Sequence, residues 1–276
     1  MDKKNRLKGK LMVSAIQMNS GPNLEDNMAQ VKHLVGELDR VPDILVLPEV
    51  FNYRSFGNHE DPYSESLNGP TVQFLKAMAI EKKMHIIGGS ITETTNGNKA
   101  YNTTVVINDI GEIMGTYRKM HLFDVTLDNT QILESNRFKA GSQPLIVSIF
   151  GWKIGFSICY DLRFPELFRY YFKESVDIVV VPSSFTYETG KKHWHILNQA
   201  RAIENQCYIV APNQCGIGAN TTKTFGHSMI IAPSGQILAE ADDQSVMSIT
   251  YECDKKQIIQ LRQRFPIKSH QRVELN

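Results

Sequence analysis

The chain has 276 residues, 42% of them hydrophobic and 21% charged, enough to bury a sizeable core in an ordinary globular protein. Its 30 Lys and Arg nearly balance 29 Asp and Glu, and no basic run is interleaved with aromatics, so a nucleic-acid partner is not expected. No apolar run approaches the ~20 residues of a membrane span, so no membrane partner is expected either.

After a basic segment at residues 1–10, residues 11–17 read as a strand, with an apolar stretch too short and too polar-flanked for a secretory core. Asn23 reads as a helix N-cap with Asp26 three residues on, and Leu24, Met28, Val31, Val35 and Leu38 make one apolar helical stripe. Residues 43–47 form a buried strand closed by Pro48-Glu49. A helix over 71–83 and a strand over 84–91 follow. Residues 101–107 and 112–118 flank Asn108-Asp109-Ile110-Gly111 as a hairpin, and 145–148 with 152–158 make another around Phe150-Gly151. Next come a strand at 177–181, a helix at 191–206 and a strand at 207–211. Segments 225–231 and 236–239 then pair around Ala232-Pro233-Ser234-Gly235, and 254–265 is the last helix. No linker, low-complexity stretch or internal repeat interrupts this. The expectation is one domain over 11–265, with a basic segment at 1–10 and a polar tail at 266–276. Helices alternating with strands and hairpins predict an α/β sandwich with mixed sheets.

Cys159 stands at a predicted strand-to-helix junction. Trp152, Ile154, Phe156 and Ile158 alternate with Lys153, Gly155 and Ser157, and Pro165 is a good first helical residue. A thiol there can feel the positive end of a helix, which lowers its pKa and makes it a nucleophile; taken alone, the local pattern favours a small buried hydrophobe. Glu49, at the end of an apolar strand, is either a partly desolvated proton acceptor or a surface carboxylate. Lys119 is either solvated or, given Met120, Leu122 and Phe123 after it, a buried cation for an oxyanion. Arg163, four residues past Cys159, is placed to meet a substrate carboxylate bidentately or to pair with Glu166 or Asp161. Tyr53 and Phe185 would supply the site wall.

A Cys-His pair using His121 or His227 stays open as an alternative. His193 and His195, two apart on a predicted helix, face different sides and cannot chelate one metal as an i, i+4 pair would, so no metal is expected. Gly88-Gly89 lacks the residues of a phosphate loop. The four cysteines have no CxxC spacing, which fits free thiols in a reducing cytoplasm.

Three motifs stand in order: Asp43-Ile44-Leu45-Val46-Leu47-Pro48-Glu49, Tyr117-Arg118-Lys119-Met120-His121, and Cys159-Tyr160-Asp161-Leu162-Arg163-Phe164-Pro165-Glu166. His193-Trp194 running into Ala200-Arg201-Ala202-Ile203-Glu204-Asn205-Gln206, and Phe225-Gly226-His227-Ser228-Met229, add two more. Together they resemble the nitrilase superfamily of carbon–nitrogen hydrolases across almost the whole chain. The resemblance implies a four-layer αββα sandwich of two mixed β-sheets, dimerising through helices. It implies Glu49 as general base, Cys159 as nucleophile, and Lys119 with the Tyr160 backbone N–H as stabilisers of the tetrahedral intermediate. It also implies Glu134 as an assisting carboxylate, and no cofactor.

Tyr160-Asp161 departs from the Trp-Glu typical of true nitrilases. Residues 163–166, 199–207 and 214–216 look most like the deaminated glutathione amidase branch, which releases 2-oxoglutarate and cysteinylglycine. The loop over 50–66 resembles the ω-amidases. The expected substrate is therefore a small, carboxylate-bearing amide. The alternatives are 2-oxoglutaramate, an N-carbamoyl amino acid, or a catalytically silent scaffold.

Overall fold

The computed structural model describes residues 8–54, 63–127, 130–218 and 222–273. Parts of three expected segments lie outside the described residues: 1–7 of the basic segment, 55–62 of the loop after Glu49, and 274–276 of the tail.

The chain begins β1 (Lys10–Gln17), α1 (Leu24–Gly36), β2 (Ile44–Val46), α2 (Pro70–Lys82) and β3 (His85–Ile87). The Asn23 side chain accepts the amides of Glu25 and Asp26, and Pro70 opens α2 where no intrahelical donor is required. Then come β4 (Ile91–Glu93), β5 (Tyr101–Ile107), β6 (Ile113–Arg118) and a small hairpin, β7 (Asp124–Leu127) with β8 (Thr130–Leu133). The second half runs β9 (Ile146–Ile149), β10 (Trp152–Phe156), α3 (Pro165–Lys173), β11 (Ile178–Val180), α4 (Tyr187–Asn205) and β12 (Tyr208–Ala211). It closes with β13 (Met229–Ile231), β14 (Ile237–Glu240), β15 (Met247–Asp254), α5 (Lys255–Arg264) and α6 (Ile267–His270).

Two mixed sheets result. One has the order β15-β1-β2-β3-β5-β4, with β6 also on β5; the other is β14-β13-β12-β11-β10-β9. β1, β2 and β3 are mutually parallel, as are β10, β11 and β12. The alternation along β2 explains the layering. Ile44 and Val46 join a core shared with Ile154, Phe156, Val180 and Ile209 of the other sheet. Leu45 and Leu47 join a separate core with Val31, Leu34, Val72 and Leu75 of α1 and α2. Both faces of β2 are therefore covered, which is why its sequence is apolar throughout. α3 and α4 cover the opposite outer face, completing the αββα sandwich.

The expected strand over 84–91 is two strands. Gly89, at φ +46, bends the chain so that β3 and β4 lie end to end along one edge of β5. A Cβ on Gly89 would stand 1.9 Å from the Pro48 carbonyl oxygen, so only glycine permits this bend against the Glu49 turn. α4 starts at Tyr187, four residues earlier than expected. The strand expected over 225–231 is reduced to β13, because Gly226 and His227 adopt positive φ. β15 was not expected, although Ile249, Tyr251 and Cys253 alternate with polar neighbours. It pairs with β1 along its whole length, from Lys10 opposite Asp254 to Gln17 opposite Met247. Among the described residues no helix is long and apolar enough to cross a membrane.

Candidate active site

Glu49, Lys119 and Cys159 lie just beyond the ends of β2, β6 and β10. β2 and β10 belong to opposite sheets, so the group gathers at one end of the sandwich, outside the carboxyl ends of parallel strands. All three are buried, with exposures of 5%, 2% and 9%.

Lys119 Nζ donates to Glu49 Oε1 at 2.9 Å and lies 3.0 and 2.9 Å from the two oxygens of Glu134. Asn102 Nδ2 spans the same two carboxylates, at 2.9 Å to Glu49 and 3.2 Å to Glu134. The Ser184 amide donates to Glu49 Oε2 at 2.8 Å, and the Phe123 amide to Glu134 Oε2 at 2.6 Å. Every oxygen of both carboxylates thus has a donor, the condition for burying such charge. Burial opposes the Lys119 ammonium, but the charges of Glu134 and Glu49 outweigh it and hold its pKa well above the ordinary lysine value. Lys119 is therefore a fixed cation at neutral pH and no proton acceptor.

The thiol behaves differently from expectation. Burial, and then the Glu49 charge beside it, push Cys159 well above the ordinary thiol value; Lys119 pulls the other way without prevailing. The expected lowering by a helix end does not occur, because the short turn that starts at Cys159 offers less than desolvation and a neighbouring carboxylate take away. Cys159 itself has φ +49, and Val50, after Glu49, also has φ +49. Left-handed backbone at Cys and Val is uncommon and persists where surrounding contacts over-determine it. At Cys159 one such contact is its amide bonded to the Pro182 carbonyl at 2.9 Å.

Asp161, fully buried, is a residue whose importance the sequence did not reveal. Its Oδ2 accepts from Tyr117 Oη at 2.7 Å and the Ile158 amide at 2.8 Å. Its Oδ1 accepts the His121 amide at 2.9 Å and lies 2.7 Å from His121 Nδ1. Since Tyr117 and His121 flank Lys119, Asp161 clamps the turn carrying Cys159 to the strand end carrying Lys119. An aspartate two residues past Cys159, after the apolar strand that ends in Ile158, was the available signal. This also bears on the Cys-His alternative: His121 is engaged by Asp161 and stacked on Phe164, while His227 is engaged by Glu240.

A cavity of about 870 Å³ opens over Cys159. Glu49, Lys119, Glu134 and Tyr160 line it, as do the expected wall residues Tyr53 and Phe185. Arg163 is not among the lining residues. Its guanidinium lies over the rings of Phe185 and Tyr160, at 5.2 and 5.7 Å from their centroids, and its Nη1 is 3.3 Å from His193 Nδ1. The expected pairing with Glu166 or Asp161 is not seen either. Among the described residues, the Lys and Arg side chains that line the cavity besides Lys119 are Arg54, Lys99 and Arg137. Arg137 Nη2 donates to the Tyr63 carbonyl at 3.0 Å. Arg54 is held by Asn19 and Thr224, and burial lowers its pKa to about 10. Both arginines escaped the sequence reading, because only packing shows which surface arginines turn inward. Ser184 Oγ and Asn102 Oδ1 are buried at this site without a protein partner.

Residues 12–263 match the carbon–nitrogen hydrolase family. The chain is 39% identical over 267 residues to a deaminated glutathione amidase of Synechocystis, an alignment covering 94% of this chain and 97% of that one. It is 32% identical to the ω-amidase Nit3 of Saccharomyces cerevisiae, over 98% of this chain and 96% of that one. The crystal structure of the same yeast protein, a member of branch 10 of the nitrilase superfamily, superimposes with a TM-score of 0.86 at 29% identity, covering 99% of this chain and 100% of that one.

Proposed function

The chain belongs to the carbon–nitrogen hydrolase family and is an amidase-type hydrolase; on that premise we propose that it cleaves the γ-amide of deaminated glutathione through a Cys159 thioester, giving 2-oxoglutarate and cysteinylglycine. The observation that carries this reading is the buried Lys119 ammonium, held between Glu49 and Glu134 beside the Cys159 thiol.

The raised thiol stays protonated in the resting protein, so attack needs a base in place. Glu49 takes the Sγ proton as sulfur bonds to the amide carbon. The resulting oxyanion meets the fixed charge of Lys119 and the Tyr160 amide. Glu49 returns the proton to the departing amine, the C–N bond breaks, and a thioester remains on Cys159. Water then gives its proton to Glu49, attacks the thioester carbon and releases the acid, and Cys159 Sγ recovers the proton. Glu134 and Asn102 keep Lys119 and Glu49 aligned throughout.

The substrate half of the proposal rests on the cavity. Arg54, Lys99 and Arg137 suit a substrate with carboxylates at both ends, and about 870 Å³ accommodates a tripeptide-sized amide. 2-Oxoglutaramate shares the acyl half and is the second reading; it leaves much of that volume to water. A cytoplasmic homodimer completes the proposal. The four cysteines are free and buried, as suits a reducing compartment. Ile196 and Ile203, seven residues apart on α4 and 68% and 54% exposed, offer an apolar face to a second copy.

An amine-release screen tests this. Deaminated glutathione should be turned over with a higher kcat/KM than 2-oxoglutaramate, N-carbamoyl amino acids or neutral amides, and mass spectrometry of quenched enzyme should find the acyl group on Cys159. An adduct confined to another cysteine, or a preference for neutral amides, would overturn it.

A further inference from the structure

Three side chains that no step above uses converge where α4 meets the turn before β13 and the end of β14. His195 Nε2 lies 2.7 Å and His227 Nδ1 2.8 Å from one and the same oxygen, Glu240 Oε1. All three donor atoms fall within 4.8 Å of one another. They come from separate elements: α4, the turn before β13, and the last residue of β14. None of them lines the catalytic cavity.

The surroundings hold this arrangement. His227 sits at φ +52, its amide bonded to the Asp242 carbonyl at 3.0 Å and its carbonyl accepting Trp194 Nε1–H at 2.8 Å. Trp194 precedes His195, so adjacent α4 residues fix the His227 backbone and face its ring. The Phe225 ring centroid lies 4.5 Å from that of His227 and 5.8 Å from that of His195, an apolar wall behind both imidazoles. Asp242 and Asp243, following Glu240 and Ala241, add negative charge nearby. The three side chains are 32%, 27% and 30% exposed, so solvent reaches the open side.

We propose that His195, His227 and Glu240 form a divalent transition-metal site of the zinc type, with water completing the coordination. Two imidazole nitrogens and one carboxylate oxygen suit Zn²⁺ or Co²⁺ far better than Mg²⁺ or Ca²⁺, which take oxygen donors. Metal–ligand bonds of ~2.0–2.1 Å at a tetrahedral centre place donors about 3.3 Å apart. The pairs to Glu240 Oε1 must open by roughly half an ångström, a change that side-chain rotation supplies. Each imidazole then binds through the nitrogen now facing Glu240 and carries its proton on the other. The proposal departs from the expectation of no metal, which weighed only a His193–His195 chelate within α4; here the second imidazole comes from another element. The metal would brace α4 against β14, with no part in the Cys159 chemistry.

The test uses the full chain in a Cys159→Ala background, which removes the partly accessible thiol as a competing ligand. After chelator treatment and dialysis, Co²⁺ should develop a visible d–d absorption saturating at one equivalent per chain and displaced by Zn²⁺, and Zn²⁺ should raise Tm in a concentration-dependent way. His195→Ala, His227→Ala and the shape-conserving Glu240→Gln, each checked for folding by circular dichroism, should weaken binding by ~10-fold or more. Should the histidine variants misfold, selective Co²⁺ broadening of the His195 and His227 ring signals in the NMR spectrum serves instead. No spectrum and no Tm shift at millimolar metal, or a spectrum that survives His227→Ala and Glu240→Gln, would overturn the site.

Discussion

Glu49 Oε2 accepts the Ser184 amide at 2.8 Å, a hydrogen bond from the end of β2 in one sheet to the segment beyond β11 in the other. The carboxylate is thus oriented from both sheets, with its second oxygen left to Lys119 and Asn102. Its position relative to Cys159 depends on how the two sheets pack, and small changes there should be felt in the chemistry.

Glu49→Gln keeps the shape but cannot move a proton, and Lys119→Ala removes the oxyanion's fixed charge. Each should lower kcat by at least ~10²–10³, the cost of losing one oxyanion donor, with little change in circular dichroism for Glu49→Gln. Near-native turnover in either variant would show that the buried cluster is structural.

The raised thiol gives a signed pH prediction. Alkylation of Cys159 by iodoacetamide in the resting protein should remain slow at neutral pH and rise only above the ordinary thiol value of 9.0. The Glu49 charge helps hold the thiol up, so Glu49→Gln should shift the alkylation profile to lower pH even as turnover falls. Lys119 pulls the thiol down, so Lys119→Met should shift the profile upward. If Glu49→Gln instead slowed alkylation at neutral pH, Glu49 would already hold the thiol proton in the resting protein.

Cavity geometry separates two arginines. Arg137→Gln should raise KM for carboxylate-bearing amides by ~10-fold or more while leaving neutral amides nearly unchanged, the usual scale of a lost charged hydrogen bond. Arg163→Lys, outside the cavity, should affect both classes alike, through its packing on Phe185 and Tyr160. Steady-state kinetics on a matched pair of amides decides it, and selective loss in Arg163→Lys alone would reverse the assignment.

Ile196→Glu on the exposed face of α4 should convert the proposed dimer to monomer in sedimentation velocity without lowering the Tm of the isolated chain by more than about 1–2 °C, since surface substitutions cost little. A wild-type chain that sediments as a monomer at micromolar concentration would dispose of the dimer instead.

Much of this was legible in the order of residues. β2 reads as a doubly covered strand because Ile44, Leu45, Val46 and Leu47 leave no polar face, and Asn23 marks the start of α1 because its side chain can satisfy free amides. The motifs around Glu49, Lys119 and Cys159 carried the family. β15 was overlooked despite its alternation, since a half-exposed edge strand carries a weak signal.

The sequence by itself thus determined most of the elements, the family and the motifs carrying Glu49, Lys119 and Cys159, because these follow from local period, capping chemistry and motif order. Only the tertiary structure decided the charges and the partners. Glu49 and Lys119 meet at 2.9 Å across 70 residues, and burial, with the Glu49 charge second and against the pull of Lys119, raises the Cys159 thiol that a helix end alone would lower. Packing turned Arg54 and Arg137 inward and left Arg163 outside, and it joined His195 to His227 and Glu240 from three elements. Desolvation and Coulomb interaction depend on distance and dielectric, and neither is encoded in the spacing of residues along the chain.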